Sequence, residues 1–315
     1  MTDEQYIRRC LELASHGLGR TRPNPMVGCV IVKDGEVISE GYHQMLGQYH
    51  AERNAILNCR YPEKLEGSTL YCNLEPCSHF GLTPPCATLI AEHKIGKVVC
   101  CNDDPNPKVN GRGFEILQAA GIEVVRHVLE EEGRWLNRRF FTFQEKQRPY
   151  IILKWAQSAD GIMDPETRPY WITNAFLKQL SHRWRTEEAA ILIGSNTCQN
   201  DHPQLNARLW AGNNPKPVVL DRSHSLNDIP EHWLHLDCKT IDEVLNSLYE
   251  QKIQSVIVEG GRQILDAFLE SGLYDEVRIL EAPVNLEHGI KAPEYKNTCH
   301  HKETYGDNTV SYYYV

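Results

Sequence analysis

His50-Ala51-Glu52 is followed 24 residues later by Pro76-Cys77, and then by Pro84-Pro85-Cys86. One imidazole and two thiolates are three ligands of the kind zinc takes, and a catalytic zinc keeps a fourth place for water. Glu52 stands two residues from the first ligand, close enough to move protons to and from that water. The flanking residues read as secondary structure. The triplet opens a helical segment, Ala51 to Cys59. Pro76-Cys77 follows a strand-like run, Thr69-Leu70-Tyr71-Cys72-Asn73-Leu74. Pro84-Pro85-Cys86 opens a second helical segment, Ala87 to His93, and proline is tolerated in a helix's first turn. A thiol there is helped toward thiolate by the helix N-terminus, and metal binding completes the deprotonation. With 14 His and 11 Cys in the chain, a lone His-x-Glu or a lone Cys pair carries little weight. The joint pattern carries it.

Outward from this segment the chain alternates β and α. Residues 4 to 16 read as an opening helix. Val27 to Lys33 and Val37 to Gly41 read as a hairpin around Asp34-Gly35, a strong turn pair. Lys97 to Cys101 is a further strand, with Cys100-Cys101 as core. Gly111-Arg112-Gly113 leads a helix that stops at Ala120-Gly121, where glycine ends helices well. Ile122 to Val125 is a strand, and one polar helix is expected from Leu129 to Glu145. This alternation predicts a layered α/β domain over 1–145. Lys146-Gln147-Arg148-Pro149 reads as a junction. All three candidate ligands and eight of the eleven cysteines precede it.

The second half, 149–315, restarts the pattern. Strands are expected at Tyr150 to Ala156, Ala189 to Ile193, Pro217 to Leu220, Ser255 to Val258, Glu276 to Glu281 and Thr309 to Val315. A helix is expected over Thr173 to Arg185, capped by Thr173 or Asn174. Glu259-Gly260-Gly261-Arg262 joins a buried strand to a helix. Paired glycines there let backbone amides approach a phosphate at a helix N-terminus, or simply make a tight turn. The spacing is not that of a Gly-x-Gly-x-x-Gly dinucleotide fingerprint. Ile193-Gly194-Ser195-Asn196-Thr197 offers the same two readings, a phosphate pocket or a helix cap.

Composition narrows the function classes. At 315 residues two domains are expected, and 41% apolar content suits a globular chain. No run approaches the ~18 apolar residues of a membrane span. The N-terminus lacks the basic and apolar regions of a signal peptide. Scattered, odd-numbered cysteines fit a reducing, cytoplasmic compartment and metal chemistry better than disulfides. The net charge of −9 argues against a long nucleic acid as partner and for a small molecule, with a few local cations if it is phosphorylated.

His-x-Glu with a later Pro-Cys and Cys is the signature of zinc-dependent base deaminases, here with eight residues between the cysteines. Together with Pro23-Asn24-Pro25-Met26-Val27-Gly28-Cys29-Val30, Leu74-Glu75-Pro76-Cys77-Ser78-His79, Thr83-Pro84-Pro85-Cys86 and Asp104-Pro105-Asn106-Pro107, it resembles the bifunctional riboflavin-biosynthesis deaminase/reductase family. In the second half the resemblance rests on Lys154, Ser158-Ala159-Asp160-Gly161, Trp171-Ile172-Thr173, Asp201-His202-Pro203-Gln204-Leu205 and Glu259-Gly260-Gly261. The long insertion between Cys77 and Cys86 is typical of that family.

The resemblance implies a cytidine-deaminase-like three-layer domain followed by a dihydrofolate-reductase-like α/β domain. It implies one Zn2+ per chain on His50, Cys77 and Cys86, with Glu52 as the catalytic proton carrier. The first half would hydrolyse the 2-amino group of 2,5-diamino-6-(5-phosphoribosylamino)pyrimidin-4-one. The second would use NADPH to reduce the ribosyl group to ribityl. Substrate positions match Asn24, His43 and His79 in the first half, and Lys154, Arg185, Leu205, Arg208 and Glu259 in the second. Cofactor positions match Ala156, Trp171, Thr197, Asp201, Arg222, and the run Gly261, Arg262, Gln263, Ile264, Leu265, Asp266 and Ala267. Arg222 suits the 2′-phosphate that distinguishes NADPH. A homo-oligomer is expected by resemblance alone.

Three departures from the family pattern are visible. Leu82 stands where a basic residue is usual. Pro169 stands where a small polar residue is common. The segment from Asp221 to Ser255 has room for about one β/α unit less than in longer members. A deaminase with an altered second domain, a nucleic-acid deaminase, and a structural zinc protein are the alternatives to the bifunctional reading.

Overall fold

The computed structural model describes residues 1–78, 80, 84–106, 109–166, 171–226 and 228–315. The chain divides into two compact units, Met1–Lys146 and Gln147–Val315.

In chain order the first unit contains α1 (Asp3–Ser15), β1 (Gly28–Lys33), β2 (Glu36–Tyr42), α2 (Ala51–Leu57), β3 (Thr69–Leu74), α3 (Cys86–Glu92), β4 (Lys97–Asn102), α4 (Arg112–Ala119), β5 (Glu123–Val125), α5 (Glu130–Leu136) and α6 (Arg138–Glu145). Its sheet runs β2-β1-β3-β4-β5. β1 is antiparallel to both neighbours, and β3, β4 and β5 are parallel. Side chains alternate across this sheet, as the two-residue strand period requires. Cys29, Ile31, Leu70, Cys72, Val98 and Cys100 pack with Ala51, Ala55 and Ile56 of α2, Ala87 and Ile90 of α3, and Phe114 and Leu117 of α4. Val30, Val32, Tyr71, Val99 and Cys101 take the opposite face with Tyr6, Ile7, Cys10 and Leu13 of α1. Three layers result, and α1 lies close on β1: a Cβ at Gly28 would fall 2.1 Å from the Cys10 carbonyl oxygen.

The hairpin turns at Asp34 and Gly35, both at positive φ (51° and 80°), which suits the right-handed twist of the flanking strands. The expected single helix over 129–145 is instead two. It breaks at Asn137, which is buried. The Asn137 side chain accepts from the Met26 amide (2.8 Å) and donates to the Met26 carbonyl (2.9 Å). At this residue the backbone departs from helical geometry, at φ −97° and ψ 23°.

The second unit contains β6 (Tyr150–Ser158), β7 (Ile162–Pro165), α7 (Ala175–Glu187), β8 (Ala190–Gly194), α8 (Ser195–Asp201), β9 (Lys216–Leu220), β10 (Leu234–Leu236), α9 (Ile241–Glu250), β11 (Ser255–Val258), α10 (Arg262–Ser271), β12 (Glu276–Ala282), β13 (Gly289–Lys291), β14 (His301–Tyr305) and β15 (Asn308–Tyr314). Its main sheet runs β10-β9-β8-β11-β6-β12-β15-β14. The first six are parallel, and β15 and β14 add antiparallel strands at one edge. One face packs Leu153, Leu192, Val218 and Val258 against Val244 and Leu248 of α9 and Leu265 and Phe268 of α10. The other packs Ile152, Ile191, Val219 and Ile257 against Leu177, Leu180 and Trp184 of α7. A sheet buried on both faces needs runs of apolar residues, and Ile151-Ile152-Leu153 is such a run. Each fully buried side chain of this size contributes about 1.5–3 kcal/mol. Asn174 caps α7 by accepting from the Leu177 amide. The compressed segment between Asp221 and Ser255 forms one β/α unit, β10 and α9, closed by a capping box at Thr240 and Glu243. Among the described residues no helix is long and apolar enough to cross a membrane.

Candidate functional site

Three element ends converge in the first unit. His50 is the N-cap of α2, so its backbone is extended while the helix begins one residue later. Cys77 follows β3, and Cys86 is the first residue of α3, after Pro85 at its N-cap. Their ligand atoms all lie within 4.8 Å of one another. His50 Nδ1 is 3.5 Å from Cys77 Sγ and 3.6 Å from Cys86 Sγ. The Cys86 amide donates to Cys77 Sγ at 3.3 Å. These contacts favour negative charge on the Cys77 sulfur, while the Cys77 hydrogen bond and burial push the Cys86 thiol up. The Cys77 thiol is held down at about 4 by the hydrogen bond from the Cys86 thiol and then by His50. His50 is raised to about 9, chiefly by its hydrogen bond with Cys77. One nitrogen and two sulfurs at this spacing are a donor set that fits zinc, with room for a non-protein ligand.

Glu52 lies in the first turn of α2 and is 3% exposed. Its Oε2 is buried with no hydrogen-bond partner. Burial pushes this carboxyl up to about 7, with the Cys77 charge adding to the effect and His50 opposing it. An orphaned buried carboxylate oxygen is costly unless something else in the site satisfies it.

Beside these groups, His43 is buried and its ring stands edge-on to His50, with centroids 5.4 Å apart. His43 Nδ1 faces the Tyr49 carbonyl at 3.0 Å, and its Nε2 faces Asn24 Nδ2 at 3.4 Å. A carbonyl only accepts, so Nδ1 carries the hydrogen and Nε2 accepts from Asn24. The segment bearing Asn24 is anchored through Met26 by Asn137 and by Asn73, whose Nδ2 donates to Met26 O at 3.0 Å. His79, Leu82 and Pro169 lie outside the described residues.

Glu75, two residues before Cys77, was not assigned a role from the sequence. It is 3% exposed and accepts three backbone N–H groups: Asp104 at 3.3 Å, Gly111 at 3.0 Å and Gly113 at 2.9 Å. Gly111 and Gly113 open α4, so Glu75 caps that helix from another strand's end, with the carboxylate at the positive end of the helix. Its place just before Pro76-Cys77 is the one sequence signal for it.

In the second unit Lys154 (β6), Arg185 (α7) and Glu259 (after β11) meet. Arg185 Nη2 and Nε reach the two Glu259 oxygens at 2.7 and 3.3 Å, and Lys154 Nζ is 3.7 Å from Oε2. Burial pushes the Glu259 carboxyl up, but Arg185 and Lys154 together hold it at about 2. Arg185 Nη1 donates to the Asn206 carbonyl at 3.0 Å. Arg208 donates to Asn206 Oδ1 at 3.0 Å. His182, one turn before Arg185, also escaped the sequence reading. Its ring is buried with Nδ1 lacking a partner. Burial first, then Arg185 and Arg208, push it down to about 4, so it stays neutral.

The positions expected to hold a cofactor divide. Gly261 has φ +40°, and a Cβ there would lie 3.1 Å from Thr197 Oγ1, so these two are neighbours. Gly260 packs on β8: a Cβ would fall 2.5 Å from Ile193 Cα. Trp171 is exposed, with Lys178 Nζ 4.4 Å from its ring centroid. Ala156 lies on β6, Asp201 ends α8, Arg222 follows β9, and Gln263 and Ala267 lie on α10. Several of these side chains are turned into the core or already paired. Ile264 and Leu265 are in the core, because the 3.6-residue period turns them toward the sheet. Arg262 pairs with Asp266 at 2.5 Å and donates to the Lys291 and Ala292 carbonyls. Leu205, expected at the substrate, is 3% exposed in the core beside α7.

Residues 1–102 match the family model for the cytidine and deoxycytidylate deaminase zinc-binding region, and residues 149–289 match that for the RibD C-terminal domain. Riboflavin biosynthesis protein RibD of Actinobacillus pleuropneumoniae is 39% identical over 318 aligned positions, spanning 90% of this chain and 84% of the relative. That of Escherichia coli K12 is 36% identical, spanning 90% and 88%. A crystal structure from Thermotoga maritima, described as a diaminohydroxyphosphoribosylaminopyrimidine deaminase/5-amino-6-(5-phosphoribosylamino)uracil reductase, superposes with a TM-score of 0.89 at 34% identity, covering 98% of this chain and 97% of that one. Acinetobacter baumannii RibD gives a TM-score of 0.90 at 32% identity, with 98% of each chain covered.

Proposed function

The chain belongs to the RibD family of riboflavin-biosynthesis proteins, a deaminase joined to a reductase, and from that membership we propose how its two units work. Residues 1–145 deaminate 2,5-diamino-6-(5-phosphoribosylamino)pyrimidin-4-one at its 2-amino group. Residues 149–315 then reduce the ribosyl group of the product to ribityl. The observation that carries the reading is the meeting of His50, Cys77 and Cys86 within 4.8 Å, beside a buried Glu52 oxygen without a partner.

His50, Cys77 and Cys86 would hold Zn2+. When bound, zinc supplies the Lewis acidity that lets water act as a nucleophile near neutral pH. Glu52 would carry the protons: it takes one from the attacking water for the ring nitrogen, and a second, from the hydroxyl thereby added to the ring carbon, for the amine as the C–N bond breaks. Its buried oxygen without a protein partner leaves it available for both transfers. Asn24 has its amide nitrogen committed to His43, which leaves Oδ1 to accept from a pyrimidine N–H. His79 is assigned to the substrate by resemblance.

In the second unit NADPH supplies the hydride, and the protein supplies position and charge. Gly261 and Thr197 place backbone and hydroxyl groups at the dinucleotide. Among the described residues, Lys154, Arg185 and Arg208 are three cations grouped with one carboxylate, Glu259, leaving two positive charges. That balance suits a phosphate monoester, which carries about −1.5 to −2 near pH 7. All eleven cysteines are free, which fits the cytoplasm. A homo-oligomer is part of the same proposal, checked by light scattering.

The test is a coupled assay with the diaminopyrimidine phosphate, zinc and NADPH, following ammonia and NADPH separately. The reading requires ammonia release first, and NADPH oxidation that depends on it. Ammonia release without NADPH oxidation would leave a deaminase whose second unit has another role.

A further inference from the structure

We propose that Lys239 is a second cationic contact for the 2′-phosphate of NADPH, acting beside Arg222, and that this pair sets the preference over NADH. The inference rests on the NADPH reading above and adds a residue to it.

Four parallel strands, β11, β8, β9 and β10, are consecutive neighbours. Their carboxyl ends therefore share one edge, where open α/β sheets bind ligands. Gly261 follows β11, Thr197 follows β8, Arg222 follows β9 and Lys239 follows β10. At about 4.8 Å per strand, three steps span about 14 Å. This is an extended track suited to a dinucleotide, with Arg222 and Lys239 at the end away from β11.

A carboxylate at such a strand end is the usual partner of a ribose 2′-hydroxyl and would repel a 2′-phosphate. Asp221 stands there but is 0% exposed. It accepts from the Ser225 amide (3.1 Å) and hydroxyl (3.0 Å), the Leu226 amide (2.9 Å) and the Ser223 hydroxyl (3.4 Å). His235 Nε2 is 3.7 Å away. Asp221 is therefore turned inward and committed. The same turn leaves the neighbouring Arg222 exposed, and among the described residues its guanidinium makes no hydrogen bond or ion pair.

Lys239 Nζ donates to the Arg222 carbonyl at 2.6 Å. This bond gathers the ammonium onto the Arg222 turn and uses one of its three donors. Among the described residues neither nearby acid is ion-paired with Arg222 or Lys239. Asp237 faces His224 at 3.8 Å. Glu243 accepts from the Lys239 and Thr240 amides at 2.7 and 3.3 Å. That capping box also closes the N-terminus of α9 to an anion, so recognition falls to the two side chains.

Calorimetric titration of the full-length, zinc-loaded protein with adenosine 2′,5′-bisphosphate and adenosine 5′-monophosphate tests this directly. The wild type favours the bisphosphate. Lys239→Gln weakens the bisphosphate about tenfold while changing the monophosphate less than about twofold, the effect of one charge-assisted hydrogen bond. Lys239→Arg retains the selectivity. If Lys239→Gln keeps the wild-type ratio while Arg222→Gln loses it, Lys239 has no part in recognition and the NADPH reading stands. If the wild type binds neither NADPH nor the bisphosphate, the reading and the proposal fall together.

Discussion

The two candidate sites solve charge in opposite ways. In the first unit a carboxylate oxygen of Glu52 is buried without a partner, and His50, Cys77 and Cys86 crowd together. The second-unit cluster balances itself in part: Glu259 is gripped by Arg185 and approached by Lys154. A group of ligands with an orphaned acid is organised for an ion that the polypeptide does not supply. A cluster of opposite charges instead holds its shape through its own pairs. The first arrangement makes chemistry depend on the metal, whereas the second makes stability depend on the site.

Chelating zinc should separate the two most sharply. Ammonia release is expected to cease, while calorimetric binding of NADPH to the second unit is unchanged; loss of both would join what the comparison divides. Glu52→Gln is the next largest effect. Turnover in the deaminase assay should fall by about 10²–10⁴-fold, with one zinc per chain retained by elemental analysis. Loss of zinc in this variant would make Glu52 a support for the metal instead of a proton carrier.

Glu259→Gln probes the other side. The folded carboxyl titrates at about 2, below the ~4.3 of an unfolded chain. Its contribution to stability is therefore present above about pH 4–5 and is lost as pH falls through about 2. The variant should lose about 3 kcal/mol near neutral pH, the cost of leaving buried cations unpaired. It should also show a flatter acid limb in urea unfolding followed from neutral pH downward. An unchanged acid limb would place the pH dependence elsewhere. The smallest effect is expected for Glu75→Gln. A weaker acceptor at the start of α4 should cost about 1–2 kcal/mol by the same unfolding measurement, as lost helix caps do. Zinc content should be retained, since Glu75 touches backbone amides and no ligand side chain.

Much of the architecture was legible in the chain because its signals are local. Asp34-Gly35 announces a hairpin, and the structure turns there with both residues at positive φ. The apolar run at Ile151-Ile152-Leu153 announces a strand buried on both faces, and the parallel sheet of the second unit buries it so. Short strands such as β7, β10 and β13 carried no periodic signal, since three or four residues are too few to show one. The expected single helix over 129–145 is two, and the residue at its break, Asn137, hydrogen-bonds Met26, a partner more than 100 residues away that no local pattern reveals. In the run 261–267, which resemblance assigns to the cofactor as a whole, only the tertiary structure shows that the side chains of Ile264 and Leu265 enter the core.

What the sequence by itself determined is the alternating α/β class, the family, and the kind of chemistry that one imidazole, two thiols and a carboxylate support. These follow from residue type and spacing, which the chain carries wherever it folds. Only the tertiary structure decided which groups share a charge. It turned Asp221 inward while leaving Arg222 exposed beside Lys239, made Glu75 the cap of a helix that begins 37 residues later at Arg112, and set neutral His182 among cations. Such pairings depend on strand order and burial, and electrostatic energy depends on separation in space and on exclusion of water, neither of which is a property of sequence spacing.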